Sequence, residues 1–164
     1  MGVRSPKVPG FLGDYWSNLI IGGNYTIVHS EIEYLQGYKV DMGGGVYIDE
    51  FRTETREMQG QSPYMANLYL VFREPTLGTA LSLQYNSFGR RMHAVGDYRE
   101  SDVYELERGV LDLTITQPLT GALEMKFSAH DLNPRDLVFE TRTGDPYRRI
   151  RNGSVYSFKL SYSL

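Results

Sequence analysis

Cysteine is absent from the 164 residues, which excludes disulfides, thiolate metal sites and cysteine nucleophiles. Basic residues are in slight deficit, 17 Lys and Arg against 20 Asp and Glu. The chain therefore lacks the cationic excess with which nucleic-acid binders neutralise phosphates. No apolar run approaches the roughly 20 residues of a membrane helix, and mean hydropathy is −0.38. Met1-Gly-Val-Arg-Ser-Pro6 lacks the apolar core of a secretory signal peptide, so the chain is expected to be intracellular or a piece of something longer. Helical periodicity is evident nowhere. None of these absences excludes a protein that crosses a membrane with strands, which need only about 9–11 residues each and whose apolar signal is diluted by alternation.

What the sequence does contain is period-two alternation. The last ten residues, Val155 to Leu164, place Tyr156, Phe158, Leu160, Tyr162 and Leu164 on one side of a strand. Val155, Ser157, Lys159, Ser161 and Ser163 take the other, because successive side chains of a strand point to opposite faces. Five upstream segments read the same way. Leu19, Ile21, Gly23, Tyr25 and Ile27 oppose Asn18, Ile20, Gly22, Asn24 and Thr26, and Ala66, Leu68, Leu70 and Phe72 oppose Asn67, Tyr69, Val71 and Arg73. Leu81, Leu83 and Tyr85, then Leu111, Leu113 and Ile115, then Leu123, Met125, Phe127 and Ala129 follow. The chain is expected to be all-β with about six such strands.

The connections alternate in length. Arg73-Glu-Pro-Thr-Leu-Gly78 and Gln117-Pro-Leu-Thr-Gly121 are short, with Pro and Gly set for tight turns. Roughly Glu33 to Pro63, Met92 to Arg108 and Asn133 to Gly153 are long and rich in Arg, Asp, Glu, Gly and Tyr. Short turns alternating with long loops predict an antiparallel up-and-down transmembrane β-barrel segment, with short periplasmic turns and long outer loops. The apolar faces carry no Lys, Arg, Asp or Glu, whereas Arg73, Asp112, Glu124, Lys126 and Lys159 fall on the opposite ones. Mid-bilayer Arg or Lys on a lipid-facing side costs about 2–4 kcal/mol. A soluble or surface β-sandwich binding module would give the same alternation, with one core face and one wet face. Aromatic residues near strand ends favour the membrane: Tyr15, Trp16, Phe72 and Tyr162 at the short-turn end, Tyr64, Phe88 and Tyr156 at the other.

Several stretches resemble a known family. Gln59-Gly-Gln-Ser-Pro-Tyr-Met-Ala-Asn67 resembles the approach to a late barrel strand of TonB-dependent outer-membrane receptors. Phe11-Leu-Gly-Asp-Tyr-Trp-Ser-Asn18 with Gly23-Asn-Tyr-Thr26, and Leu83-Gln-Tyr-Asn-Ser-Phe-Gly-Arg-Arg91 with His93-Ala-Val-Gly96, are similar to neighbouring strand starts in those proteins. Asp102-Val-Tyr-Glu-Leu-Glu-Arg-Gly-Val-Leu-Asp112 resembles the approach to their next strand, and Tyr156 to Leu164 their closing one. The likeness spans nearly the whole chain in order and is nearest in style to receptors bearing a carboxypeptidase-regulatory-like domain. It implies a C-terminal piece, residues 1–164, of a plugged barrel of about 22 strands, with the plug domain and earlier strands absent. Leu164 stands where many such barrels end in Phe or Trp.

The resemblance implies active uptake of a scarce nutrient (siderophore, cobalamin, peptide or glycan) across the outer membrane of a Gram-negative bacterium. Implied partners are outer-membrane lipid, the plug and remaining strands of the parent receptor, TonB through the missing N-terminal part, and the barrel assembly machinery. No nucleic acid and no cofactor is expected. Bacterial single-chain barrels begin at eight strands, so the isolated chain is expected not to close as a stable monomer.

No catalytic set converges, and an enzyme is not expected. His130-Asp131 reads as a hydrogen bond at a loop base rather than as a catalytic or metal pair, and His29 and His93 lack the spacing of metal ligands. Gly43-Gly-Gly45 is followed by no Lys-Ser or Lys-Thr, so a flexible outer loop explains it better than a phosphate loop. Asp97, Arg99, Glu100, Asp102, Glu105, Glu107 and Arg108 read as a solvated mixed-charge run. Two groups are candidates for function. Arg142, Arg148, Arg149 and Arg151 could hold an anionic ligand or lipopolysaccharide phosphates. Asp112, Glu124, Lys126 and Lys159 are expected on one inner, lumen-facing wall, as a cross-strand charge ladder serving stability or plug docking.

Overall fold

The computed structural model describes residues 17–96 and 101–163. They form antiparallel β-structure without a helix. Twelve strands run in chain order as β1 (Leu19–Ile27), β2 (Glu31–Asp41), β3 (Tyr47–Glu57), β4 (Tyr64–Arg73), β5 (Ala80–Phe88), β6 (Arg91–Ala94), β7 (Val103–Glu105), β8 (Arg108–Thr120), β9 (Leu123–His130), β10 (Leu137–Thr141), β11 (Pro146–Ile150) and β12 (Val155–Tyr162). Three sheets result, with strand orders β1-β4-β5-β8-β9-β12, β11-β10-β7-β6 and β2-β3. None closes on itself.

The six-stranded sheet contains all six alternating segments. Its register aligns their apolar positions: Ile21 faces Leu70, Leu70 faces Leu83, and Leu83 faces Leu113. Leu113 in turn faces Ala129, and Ala129 faces Tyr156. A one-residue slip at any pair would throw one apolar set across the sheet, so the pattern itself fixes the register.

Two short connections lie at one end, the turn end. Between β4 and β5 the Glu74 carboxylate caps the turn, accepting the N–H groups of Thr76 (2.9 Å) and Leu77. Gly78 has φ +70°, a value that a Cβ disfavours. Between β8 and β9 the turn is narrower than the sequence suggests. Pro118, which cannot donate to a ladder, sits at a bulge between Pro118 and Thr120, and β8 continues to Thr120.

The long connections, expected as loops, are themselves strands. Residues 31–57 form an eleven-pair hairpin whose tip contains Gly43, Gly44 and Gly45, all at positive φ. The Gly43-Gly-Gly45 stretch is thus a hairpin turn, anchored by Asp41 Oδ1 accepting the Gly43 N–H at 2.8 Å. The other two connections contribute β6–β7 and β10–β11, which join into the four-stranded sheet at the opposite, loop end. The closest packing lies at this end: Met92 of β6 is fully buried, with Phe139, Val103 and Tyr104 nearly so, and Ala129, near the loop end of β9 in the large sheet, is fully buried too.

Candidate functional site

Two regions carry the chemistry: the faces of the six-stranded sheet, and the polar joints at its loop end. One face bears Leu19, Ile21, Leu68, Leu70, Phe72 and their partners across to Tyr156, Phe158, Leu160 and Tyr162, and none of the six strands places an Asp, Glu, Lys or Arg on this face. No second layer of described residues covers it. Ile21, Tyr25, Ile27, Leu68, Tyr156, Phe158, Leu160 and Tyr162 are each more than half exposed, Ile27 reaching 76%. At the loop end Tyr25 stacks on Tyr64 (6.0 Å between centroids) and Phe127 on Tyr156 (6.3 Å). Tyr85 lies over Gly109 and Tyr64 over Gly89, where a Cβ would collide with the rings. Phe88 does not join this aromatic band. It faces Met65 and Arg108 on the other side of the sheet, beneath the Arg91 guanidinium at 4.5 Å. Tyr15, Trp16 and Leu164, also assigned to apolar positions by the sequence, lie outside the described residues.

The opposite face holds Asp112, Glu124, Lys126 and Lys159, as their numbering requires, but not as a ladder. Lys126 stands directly opposite Lys159, Glu124 opposite Ser161, and Asp112 opposite Gln84. No ion pair joins these four. Like charges face each other because β9 and β12 pair with Lys126 and Lys159 in register, a detail that face assignment alone does not fix. Asp112 is engaged elsewhere: its Oδ1 accepts the Asp131 N–H at 2.9 Å, and its Oδ2 lies 3.7 Å from His130 Nδ1.

The Asp112–His130 contact belongs to a network that the sequence did not reveal. Asp131, 5% exposed, has φ +55°, a left-handed conformation that Asp tolerates better than most residues. Its carboxylate pairs with the Arg108 guanidinium and accepts from Asn152 Nδ2 at 2.6 Å. Its carbonyl accepts the Ser154 hydroxyl at 2.6 Å. Asp131 and Asn152–Ser154 are the two feet of the β9–β12 excursion, so one side chain clamps both feet to the start of β8. Arg108 Nε and Asp131 Oδ1 are buried without a partner. A bidentate fork would use these two atoms as well, but the pair is joined here through Arg108 Nη2 and Asp131 Oδ2 alone.

Glu105 and Arg108 therefore do not belong to a solvated charge run. Glu105, 7% exposed, stands opposite Arg91 and holds it at 2.8 Å. Burial with a partner is what keeps such charges tolerable. Asp97, Arg99 and Glu100 of that run lie outside the described residues.

Arg142, Arg148 and Arg149 of the basic stretch have separate side-chain partners. Arg148 and Arg149 are adjacent on β11 and so point to opposite faces. Arg148 lies 4.8 Å above the Phe139 ring, and Arg149 Nε pairs with Asp136 at 2.8 Å. Arg142 is held by its backbone to Asp102 O at 2.9 Å, and its side chain lines a separate hollow with Tyr34, Tyr38 and Glu54. Arg151 lies beyond β11 and is exposed. The arginines thus meet different neighbours: Arg148 and Arg149 line one shallow hollow with Val138, Glu140, Pro146 and Tyr147, and Arg142 lines another.

The Gln59-Gly-Gln-Ser-Pro-Tyr stretch has a structural task. Gly60 N–H donates to Met92 O and Gln59 Nε2 to His93 O, both at 2.8 Å. The buried Ser62 hydroxyl lies 2.8 Å from Tyr64 O and 2.9 Å from Gly89 O. It ties the root of the hairpin to β5 and β6. No group of three or more His, Cys, Asp or Glu among the described residues could hold a metal. No family model, curated protein or solved structure matches the chain.

Proposed function

We propose that the chain is a wall segment of a transmembrane β-barrel, the C-terminal part of an outer-membrane receptor of the TonB-dependent type. The observation that carries this reading is the charge-free apolar face that runs unbroken across six antiparallel strands and has nothing over it. Eight large side chains there are more than half exposed. At about 1 kcal/mol or more forfeited by each in water, their sum rivals the whole stability of a domain, about 5–15 kcal/mol. Such a face calls for an apolar neighbour, and hydrocarbon is the one that fits its extent. Nine residues at about 3.4 Å each, tilted about 40°, reach some 23 Å along the membrane normal, close to the apolar band of known barrels at about 25 Å. A sandwich would have to cover the same face with a second sheet.

On this reading the face of Asp112, Glu124, Lys126 and Lys159 looks into the lumen, and the hairpin and four-stranded sheet stand outside the membrane. The open edges of β1 and β12 pair with the remaining strands of the parent receptor, since unpaired backbone is not tolerated in lipid. The complete receptor takes up a scarce nutrient across the outer membrane of a Gram-negative bacterium, with energy relayed through TonB.

Single-cysteine scanning tests the reading, and the absence of native cysteine gives it a clean background. In the chain held in nonionic detergent micelles, cysteines at Phe158 and Leu160 should resist a water-soluble maleimide, while those at Ser157 and Lys159 should react. Equal labelling of both sets would refute a hydrocarbon-facing surface.

A further inference from the structure

The β2–β3 hairpin has two unlike faces. On one, Tyr34, Gln36 and Glu54 are half-buried against the four-stranded sheet, and the charges neutralise one another. Arg52 pairs with Glu50 at 3.0 Å, Arg56 lies 4.1 Å above the Tyr34 ring, and Tyr38 bonds Glu54.

The other face is exposed along its whole length apart from Gly37. Its base carries Glu31, Glu33 and Glu57, with Glu31 directly opposite Glu57. Like charges so placed repel. His29, itself largely in water, approaches them, its Nε2 3.4 Å from Glu31 Oε1. Further along stand Leu35, 70% exposed, and Phe51, 66% exposed. The Phe51 ring lies over Gly37, its Cε1 3.4 Å from where a Cβ would be, so the pair makes a flat apolar platform. Asp49 and Asp41 lie beyond it, giving five carboxylates on this face against the single Lys39.

We propose that this face docks a cationic segment of another protein, one presenting an apolar side chain flanked by Lys or Arg. Charge complementarity selects the partner: basic groups beside Glu31, Glu33 and Glu57 relieve the repulsion, and the apolar side chain covers Leu35 and Phe51. The proposal does not rest on the membrane assignment of the large sheet. Eleven residues at about 3.3 Å and two strands at about 4.8 Å give a face roughly 36 Å long and 10 Å wide. That is the size of a weak, transient contact, so binding in the micromolar range is expected.

The test uses the full chain in nonionic detergent micelles and a fluorescent peptide of alternating Lys and Leu with a central Phe, read by anisotropy against empty micelles. The same peptide with Glu for Lys is the control. Binding should weaken at least tenfold between low and high salt, as screened charge contacts do. It should weaken at least tenfold in Glu31→Gln/Glu33→Gln/Glu57→Gln and also in Phe51→Ser, which leaves the charges intact should the triple variant not fold. Glu54→Gln, on the other face, should stay within twofold. Binding unchanged in both face variants, or equal affinity for the acidic peptide, would overturn the proposal. So would sedimentation showing self-association that Phe51→Ser abolishes, which would assign the face to a second copy.

Discussion

Replacing Asp131 should release the β9–β12 excursion while leaving the large sheet paired. Its carboxylate holds Arg108 and Asn152, and the two partners in the ion pair are only 15% and 8% exposed in their side chains. Truncation to Ala leaves Arg108 buried without its anion, which costs about 3–5 kcal/mol. At 1.36 kcal/mol per decade, local opening should rise about 10²- to 10⁴-fold. The readout is amide exchange at Leu132 and Leu106, which donate to Leu111 O and Val138 O at 2.7 and 3.0 Å, compared with Leu70 and Leu83 in the middle of the sheet. Asp131→Asn keeps an acceptor and tolerates φ +55°, so it should lose less protection than Asp131→Ala. Asp131→Gly relieves the cost of the left-handed backbone conformation and should recover up to about 1–2 kcal/mol relative to Ala. Exchange at Leu132 and Leu106 that is unchanged in Asp131→Ala would refute the clamp. So would exchange that rises equally at Leu70.

Three further outcomes follow from the geometry. Gly109→Val places a branched side chain under the Tyr85 ring; overpacking of this kind costs about 1–3 kcal/mol, to be read as a lower denaturant midpoint, and Tyr85→Ala in the same chain should restore part of the loss. Hydrogen bonds from the Leu77 N–H, and next from Thr76, hold the Glu74 carboxyl below its usual range. A depressed folded-state value means that the turn's stabilisation is full above the ordinary Glu range and fades as pH falls through the lowered one. Amide exchange at Thr76, corrected for intrinsic rate, should therefore gain protection with rising pH across that window in the parent, and Glu74→Gln should abolish the dependence. Lys126→Glu sets opposite charges across the β9–β12 ladder where Lys126 now meets Lys159, and should stabilise that pair by about 0.2–1 kcal/mol in a chemical melt; destabilisation would mean that the lysines are held apart by something other than each other.

The six strands of the large sheet were legible because each keeps one face apolar and free of charge at every second residue, even where Ile20, Tyr69 and Val71 make the other face partly apolar, and because register follows from keeping Leu70, Leu83 and Leu113 on one face. The hairpin was legible in principle. Ile32, Tyr34, Gln36 and Val40 alternate with Glu31, Glu33 and Lys39, but Gly37 and Gly43–Gly45 with the many charges disguise them as loop. Strands β6, β7, β10 and β11 are three to five residues long, too short for periodicity to register. The Asp131 clamp unites Arg108, Asp131 and Asn152, over twenty residues apart in each step, and its one local trace is an Asp just after a strand. Arg148 and Arg149 show the limit of adjacency: in a strand neighbouring side chains point to opposite faces, so Arg148 meets Phe139 while Arg149 meets Asp136.

The order β1-β4-β5-β8-β9-β12, antiparallel at every step, has an arithmetical consequence. Six is even, so the two outermost strands run in opposite directions. A ring in which every neighbour is antiparallel admits only an even number of members. If this sheet is part of a closed ring, as proposed above, the strands that complete it, from the same polypeptide or from further copies, must therefore come in pairs. A polypeptide that supplies such pairs through hairpins leaves the ring on the side where it joined. One odd strand, gained or lost, would force a parallel seam somewhere in the circle.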